Sequence, residues 1–255
     1  MVNNIFEAPL NFRVVDARQE ISLPEKIKSN INKLWASKLA TNSHLFNGPI
    51  YSIGEIVSNN DYIDFNMYRS SYAHYLHSKS KDFIGDHICR SIAVSALLLT
   101  ADNFYCLGMM SEHTSYPNVI QCPGGAIDKV DIKGNVFDTW ATVYREVQEE
   151  IGLDLEDRIL NSTKESKYLI TRKNLSYIGI GYVIELSINK NQLENIFLLH
   201  NENSKGINEL QKLLFVRKDK ESVLNFIEEK NIRKIDYLEN LLLVDIGQEK
   251  CNKWE

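Results

Sequence analysis

Arg145-Glu146-Val147-Gln148-Glu149-Glu150-Ile151-Gly152-Leu153 acquires two chemically opposed faces when wound into a helix. At about 100° per residue, with Arg145 at zero, Glu149 falls at about 40°, Glu146 at about 100° and Glu150 at about 140°. Trp140, Val143, Tyr144, Val147 and Ile151 gather on the other side. That apolar side is fit to pack on a sheet. The polar side collects three carboxylates and one guanidinium within two turns. Asp138 stands where an N-cap belongs and Gly152 where a C-cap belongs, so a helix is expected over 138–151.

Like charges this close repel by roughly 0.2–0.5 kcal/mol per pair. A hard divalent cation reverses that sign, because Mg²⁺ binds carboxylate oxygens and keeps its other positions for water and substrate phosphates. Arg145 can fix one glutamate through a bidentate pair. Alone, such a pattern reads as a solvated helix face with a surface ion pair. Gln121-Cys122-Pro123-Gly124-Gly125 changes that reading. There a short strand ends in two glycines, where backbone can approach an ion or phosphate closely.

Pro-Gly-Gly, a loop and residues 145–153 together resemble the Nudix signature: Gly, five residues, Glu, seven residues, then Arg-Glu-aliphatic-any-Glu-Glu-any-Gly-aliphatic. Every position of 145–153 fits. The first half departs from the pattern. Its Glu falls on Asp131 counting forward from Gly125, and on Phe137 counting back from Arg145, so the loop is longer than the signature's. Asp131 and Asp138 are the available carboxylates, and Asp138 also reads as the helix cap, accepting from Ala141 or its neighbour.

Further segments, in the same order over residues 25–216, resemble the eukaryotic Nudix proteins that hydrolyse UDP-glucose and UDP-galactose. They are Ile31-Asn32-Lys33-Leu34-Trp35, Leu45-Phe46-Asn47-Gly48-Pro49, Ser71-Tyr72-Ala73-His74-Tyr75-Leu76 and Leu98-Leu99-Thr100-Ala101-Asp102-Asn103-Phe104. Ala73 and His74 stand where those relatives carry an arginine and an aspartate.

The resemblance implies an α/β fold: a Nudix αβα sandwich with a mixed sheet over residues 89–255, and an N-terminal helical extension, residues 1–88, packed on it. It implies Mg²⁺, or Mn²⁺, held by the Gly125 carbonyl with Glu146, Glu149 and Glu150. The implied catalytic set is Glu146, Arg145 and Glu149. Glu146 would ligate metal or orient the attacking water, and Arg145 would position a glutamate. The metal would neutralise the diphosphate and acidify water, in a chemistry carried by positioning and charge. The implied reaction cleaves a nucleotide sugar to UMP and a sugar 1-phosphate. Two alternatives stand beside it: a Nudix hydrolase of ADP-ribose, a dinucleotide or a modified nucleotide, and a Nudix sensor that binds without cleaving. The presence of all three glutamates favours catalysis.

Outside this box, Glu209, in a polar loop with Glu202, is a candidate further carboxylate, against the plainer reading of a solvated surface residue. Arg69 and Tyr72, with Tyr68 and Tyr75, are candidates for contact with base or phosphate, against ordinary core packing. His74 and His113 lack a second ligand at metal spacing and read as structural or exposed.

Elsewhere, residues 22–40 read as a helix begun by Pro24, and 71–78 as a helix within the Tyr- and His-rich segment 61–83. Strands are expected at 91–100, buried on both faces, and at 105–110, 119–121, 167–170, 177–186 and 213–216. Residues 126–137 read as a polar, weakly packed loop. A helix is expected at 191–198, and residues 222–229 and 235–244 read as two amphipathic segments.

The 255 residues are 44% apolar and 25% charged, enough for a sizeable core. A formal charge of −5 argues against a nucleic-acid partner. The expected partner is a small nucleotide. The N-terminus lacks a basic-then-apolar signal, and no apolar run spans a bilayer, so a cytoplasmic protein without a membrane partner is expected. Cys89, Cys106, Cys122 and Cys251 have no metal-knuckle spacing and read as reduced thiols.

Overall fold

The computed structural model describes residues 4–9, 11–41, 43, 45–58, 62–79, 87–114, 116–158, 164–171, 177–204, 206 and 208–254. Residues 61 and 80–83 of the Tyr- and His-rich segment, and residues 1–3 and 10 of the N-terminal stretch, lie outside them. The chain begins with β1 (Asn4–Glu7), β2 (Phe12–Glu20), α1 (Glu25–Thr41), β3 (Pro49–Ser58), β4 (Ile63–Ser71) and α2 (Tyr72–Ser78). Next come β5 (Ser91–Leu99), β6 (Phe104–Met110), β7 (Val119–Gln121), a 3₁₀ turn (Lys129–Asp131), β8 (Ile132–Lys133) and β9 (Val136–Phe137). Then follow α3 (Thr139–Ile151), β10 (Tyr168–Thr171), β11 (Tyr177–Glu185), α4 (Lys190–Asn203), β12 (Leu210–Arg217), α5 (Lys220–Glu228), β13 (Arg233–Lys234) and α6 (Leu238–Asp245).

The larger sheet runs β1-β10-β11-β5-β6-β7-β13, with β12 also paired to β6. It is mixed: β5 is parallel to β11 and antiparallel to β6. The apolar run of β5 explains its central place, since both its faces are covered. Ile92, Val94, Ala96 and Leu98 share a core with Val143, Val147 and Ile151 of α3 and Leu193 and Phe197 of α4. Leu97 and Leu99 face Val223 and Phe226 of α5 and Leu238, Leu241 and Leu242 of α6. Helices therefore cover both faces, as an αβα sandwich requires.

The N-terminal region departs from expectation in character. Its helices form, but four strands accompany them. β2, β3 and β4 join β8 and β9 in a second sheet, ordered β3-β4-β2-β9-β8. β1 is the edge strand of the larger sheet, and Tyr51, Ile53, Phe65 and Met67 enter the same core as α3. The segment 126–137 is likewise no irregular loop. It holds the 3₁₀ turn and the β8–β9 hairpin, and Val136 pairs with Val15 of β2. Close to the other end of the chain, Asn252 bridges to Phe6, and the Trp254 ring packs on Phe6 at 5.2 Å and on Phe65 at 6.1 Å.

Among the described residues no helix is long and apolar enough to cross a membrane. The four cysteines are unpaired, and burial pushes the Cys89 thiol up to about 11 and Cys122 up to about 12. His74 is buried, its ring nitrogens meeting Ser70 Oγ at 2.7 Å and the His87 carbonyl at 2.8 Å, a structural role.

At the end of α6 the fully buried Asp245 side chain ties the helix to the sheet. Tyr105 donates to it at 2.6 Å, Tyr168 at 2.9 Å and Lys167 at 2.7 Å, and Lys218 lies at 2.9 Å. Burial pushes its pKa up, but these donors outweigh burial and hold it at about 2. A carboxylate depressed in the folded state stabilises above its unfolded pKa and loses that contribution as pH falls toward the folded one. Asp245→Asn should therefore cost about 3 kcal/mol at pH 7, since it removes the buried counter-charge of Lys218 and the half-exposed Lys167. The deficit should shrink between pH 4 and pH 2 in urea melts; a deficit constant with pH would mean the carboxylate charge is not what holds α6.

Candidate functional site

The site is assembled where β5, the Gly124–Gly125 turn and α3 meet. Asp138 caps α3, accepting from the Ala141 N–H at 3.0 Å, and the helix stops at Gly152, whose φ of 79° is left-handed. The pairing of Val94 N–H with the Gly125 carbonyl (2.8 Å) and of Ala96 N–H with the Pro123 carbonyl (2.7 Å) lays the turn along β5. Gly124 has φ 144°, and a Cβ there would lie 2.3 Å from the Val94 carbonyl oxygen. A Cβ on Gly125 would lie 2.4 Å from Glu146 Oε2. The two glycines thus let β5 approach from one side and a carboxylate from the other.

Asp131, not Asp138, meets Arg145. Arg145 Nη2 donates to Asp131 Oδ2 at 3.0 Å and Nε to Oδ1 at 3.3 Å. Thr142 Oγ1 at 2.9 Å and the Asp128 N–H at 3.0 Å complete the shell of an aspartate whose side chain is 3% exposed. Asp138 instead pairs with Lys133 at 2.6 Å while capping the helix. The forward count from Gly125 therefore picks the carboxylate that Arg145 uses, and the extra residues form the β8–β9 hairpin behind it. Arg145 Nη1 also reaches Glu146 Oε1 at 2.7 Å and Glu149 Oε2 at 3.3 Å.

The three glutamates do not share one environment. Glu149 is largely exposed. Glu146 is mostly buried, and burial, opposed by Arg145 and reinforced by Glu149 and Glu209, raises its pKa to about 7. Glu150 is buried, whereas the helical wheel placed it on the polar face. Its Oε2 accepts from the Gly124 N–H at 3.0 Å, and its buried Oε1 has no hydrogen-bond partner. Burial, together with Glu146, Glu209 and Glu149, pushes its pKa well up. Glu209 sits just before β12 and belongs electrostatically to this group.

These features fit a divalent cation. One carboxylate oxygen is buried without a partner, and Glu149 and Glu209 add their charge to the burial that disfavours ionised Glu146 and Glu150, in a place where a glycine makes room for one of them. Two expectations are amended. The Gly125 carbonyl already accepts from Val94, leaving one lone pair for a metal. Among the described residues, no three His, Cys, Asp or Glu side chains converge as a finished cage, and Glu149 stands outside with Arg145.

A cavity of about 420 Å³ adjoins the turn, lined by Gly124, Gly125 and Glu209 among others. Tyr72 lines it, but Arg69 does not. The Arg69 guanidinium lies 4.0 Å from Asp16, and the Tyr68 ring packs under Gly54. Tyr51, Lys79 and Tyr116 line it as well and were missed. Lys79 was legible, since Tyr72, Tyr75 and Lys79 follow one another at helical spacing.

Two predictions follow from this geometry. Asp131→Ala should destabilise the protein by roughly 3 kcal/mol, because it removes the carboxylate that Nε and Nη2 of a mostly buried guanidinium share, leaving only Nη1 paired, to Glu146 and Glu149. Asp138→Ala should cost about 1 kcal/mol, the loss of a cap; equal losses in denaturant melts would make Asp138 the tie. For Glu146, the folded pKa of about 7 exceeds the ordinary 4.5. Metal-free protein should therefore lose up to about 3 kcal/mol of stability as pH rises from 4.5 through 7. Glu146→Gln should raise Tm at pH 8 while lowering kcat by about 10²–10⁴-fold. A variant less stable at pH 8 and fully active would exclude this carboxylate from the chemistry.

No family model and no curated protein matches the chain. Solved structures do. A Deinococcus radiodurans protein is 15% identical, with 76% of this chain and 97% of that one covered and a TM-score of 0.43. The MutT protein from Methanosarcina mazei Go1 is 16% identical over 63% of this chain and 96% of its own, with a TM-score of 0.39. A Nudix hydrolase from Alicyclobacillus acidocaldarius is 10% identical over 65% and 98%, with a TM-score of 0.40. All three are distant likenesses.

Proposed function

We propose that the chain is a Nudix-type, Mg²⁺- or Mn²⁺-dependent hydrolase of a nucleoside-diphosphate-linked small molecule. The observation that carries this is the buried Glu146–Glu150 pair at the Gly124–Gly125 turn, with one carboxylate oxygen unpartnered and Arg145 clamped by Asp131. Glu146 and Glu150 would hold the cation, and Glu149 and Glu209 would lend charge from the rim. When bound, the cation supplies neutralisation of the diphosphate and acidification of water.

The residues of the chain do the remaining work. Glu146, which would lie beside the cation, orients the attacking water and accepts its proton. The water oxygen bonds to phosphorus as the bond from phosphorus to the bridging oxygen breaks, and the bridging oxygen leaves on the second phosphate. Arg145 holds Glu146 in line for this transfer. The turn brings backbone close to where the diphosphate would lie.

For the substrate we propose a nucleotide sugar such as UDP-glucose or UDP-galactose, cleaved to UMP and the sugar 1-phosphate. The support is the collinear resemblance over residues 25–216 and the presence of Tyr72 in the cavity wall. UDP-hexoses should be hydrolysed at least about tenfold faster, by kcat/KM, than ADP-ribose or a nucleoside triphosphate. Phosphorus NMR should identify UMP and hexose 1-phosphate, and EDTA should abolish turnover. Full turnover in EDTA overturns the metal reading, and a preference for ADP-ribose or a triphosphate overturns the sugar-nucleotide reading.

A further inference from the structure

The cavity beside the carboxylates is chemically lopsided. At one end lie Gly124, Gly125 and the Glu209 carboxylate. Most of the remaining wall is aromatic or aliphatic, with the tyrosines Tyr51, Tyr72, Tyr75, Tyr116, Tyr177 and Tyr237 prominent. The Tyr72 and Tyr75 rings stack at 5.9 Å with 28° between their planes. Among the described lining residues Lys79 is the one Lys or Arg. Its ammonium lies 4.2 Å from the Tyr75 ring centre and 4.8 Å from that of Tyr116, and it donates to the Tyr116 hydroxyl. Lys79 thereby bridges α2 to the segment between β6 and β7.

A diphosphate-linked ligand has two ends, and this cavity suits them unequally. A hexose presents hydroxyls around its whole rim, and each left unpaired on an apolar wall loses its hydrogen bonds to water without replacement. A planar base loses little, because its faces want aromatic neighbours and its polar atoms are confined to one edge. Lys79 offers donors and no acceptor, so it suits an edge bearing carbonyl oxygens.

Resting on the proposed hydrolase reading, we infer that this cavity is a nucleoside pocket. The base packs among Tyr72, Tyr75 and Tyr116 with a carbonyl edge toward Lys79, and the hexose lies outside, toward the exposed Glu149. The protein then selects the base and tolerates the sugar.

The test uses the wild-type chain at fixed Mg²⁺. UDP-glucose, UDP-galactose and UDP-N-acetylglucosamine should give kcat/KM values within about fivefold of one another, while ADP-glucose should fall by roughly tenfold or more. UMP should inhibit competitively, and glucose 1-phosphate should not at the same concentration. Tyr75→Ala should raise KM by about tenfold and lower kcat by less, with Tyr75→Phe recovering most of the loss. Lys79→Met should narrow the preference for uridine over adenosine. Sugars that differ more than bases do, or inhibition by glucose 1-phosphate but not by UMP, would overturn the assignment. If none of these compounds is cleaved, the hydrolase reading falls, and the pocket is still decided by heat stability: UMP should raise the Tm of the wild type and not of Tyr75→Ala.

Discussion

One guanidinium ties together the parts of this molecule that matter most to its chemistry. Arg145 reaches from α3 to Asp131, Glu146 and Glu149. Through Asp131 it holds the 3₁₀ turn and the hairpin that follows, and through that hairpin the helix is linked to β2 and the smaller sheet. The charge balance around it is uneven. One positive group faces Asp131 at close range and cannot also neutralise Glu146, Glu149, Glu150 and Glu209. Burial then decides the outcome for Glu146 and Glu150, whose charged forms are both disfavoured.

That imbalance is costly to stability and useful to chemistry. A fold built only to persist would place apolar side chains where Glu146 and Glu150 sit. Here two buried acids are kept: Gly124 gives Glu150 a backbone N–H, and Gly125 leaves room for the Glu146 carboxylate. Perturbed acids gathered beside a turn that lines a cavity are the arrangement expected of a working site.

Much of this was legible in the residues. The helix with its caps, the central strand and the acidic face follow from periodicity and from Asp138 and Gly152, which are local signals. Four things were not. The choice between Asp131 and Asp138 depends on where the hairpin folds back, and two-residue strands carry no period of their own. The burial of Glu150 depends on the turn that covers it, which a helical wheel does not contain. The strands β2 to β4 are mixed in polarity because they serve a sheet packed partly on the main core and partly against solvent. Arg69 lies on such a strand, 4.0 Å from Asp16, and meets the cavity only through its hydrogen bond with Tyr51. Lys79, by contrast, repeats the Tyr72–Tyr75 face and was readable in principle.

The stitching of distant segments has a consequence for how the chain is made. Ile5 and Phe6 leave the ribosome early, but their partners in β10 are made much later, and Asn252 and Trp254 later still. Pairings of such long sequence separation carry the largest loop-closure penalty and form slowly. Until then an apolar strand edge and the open side of Phe65 face solvent or a chaperone. The nascent chain is exposed to aggregation through a surface that the finished molecule does not have.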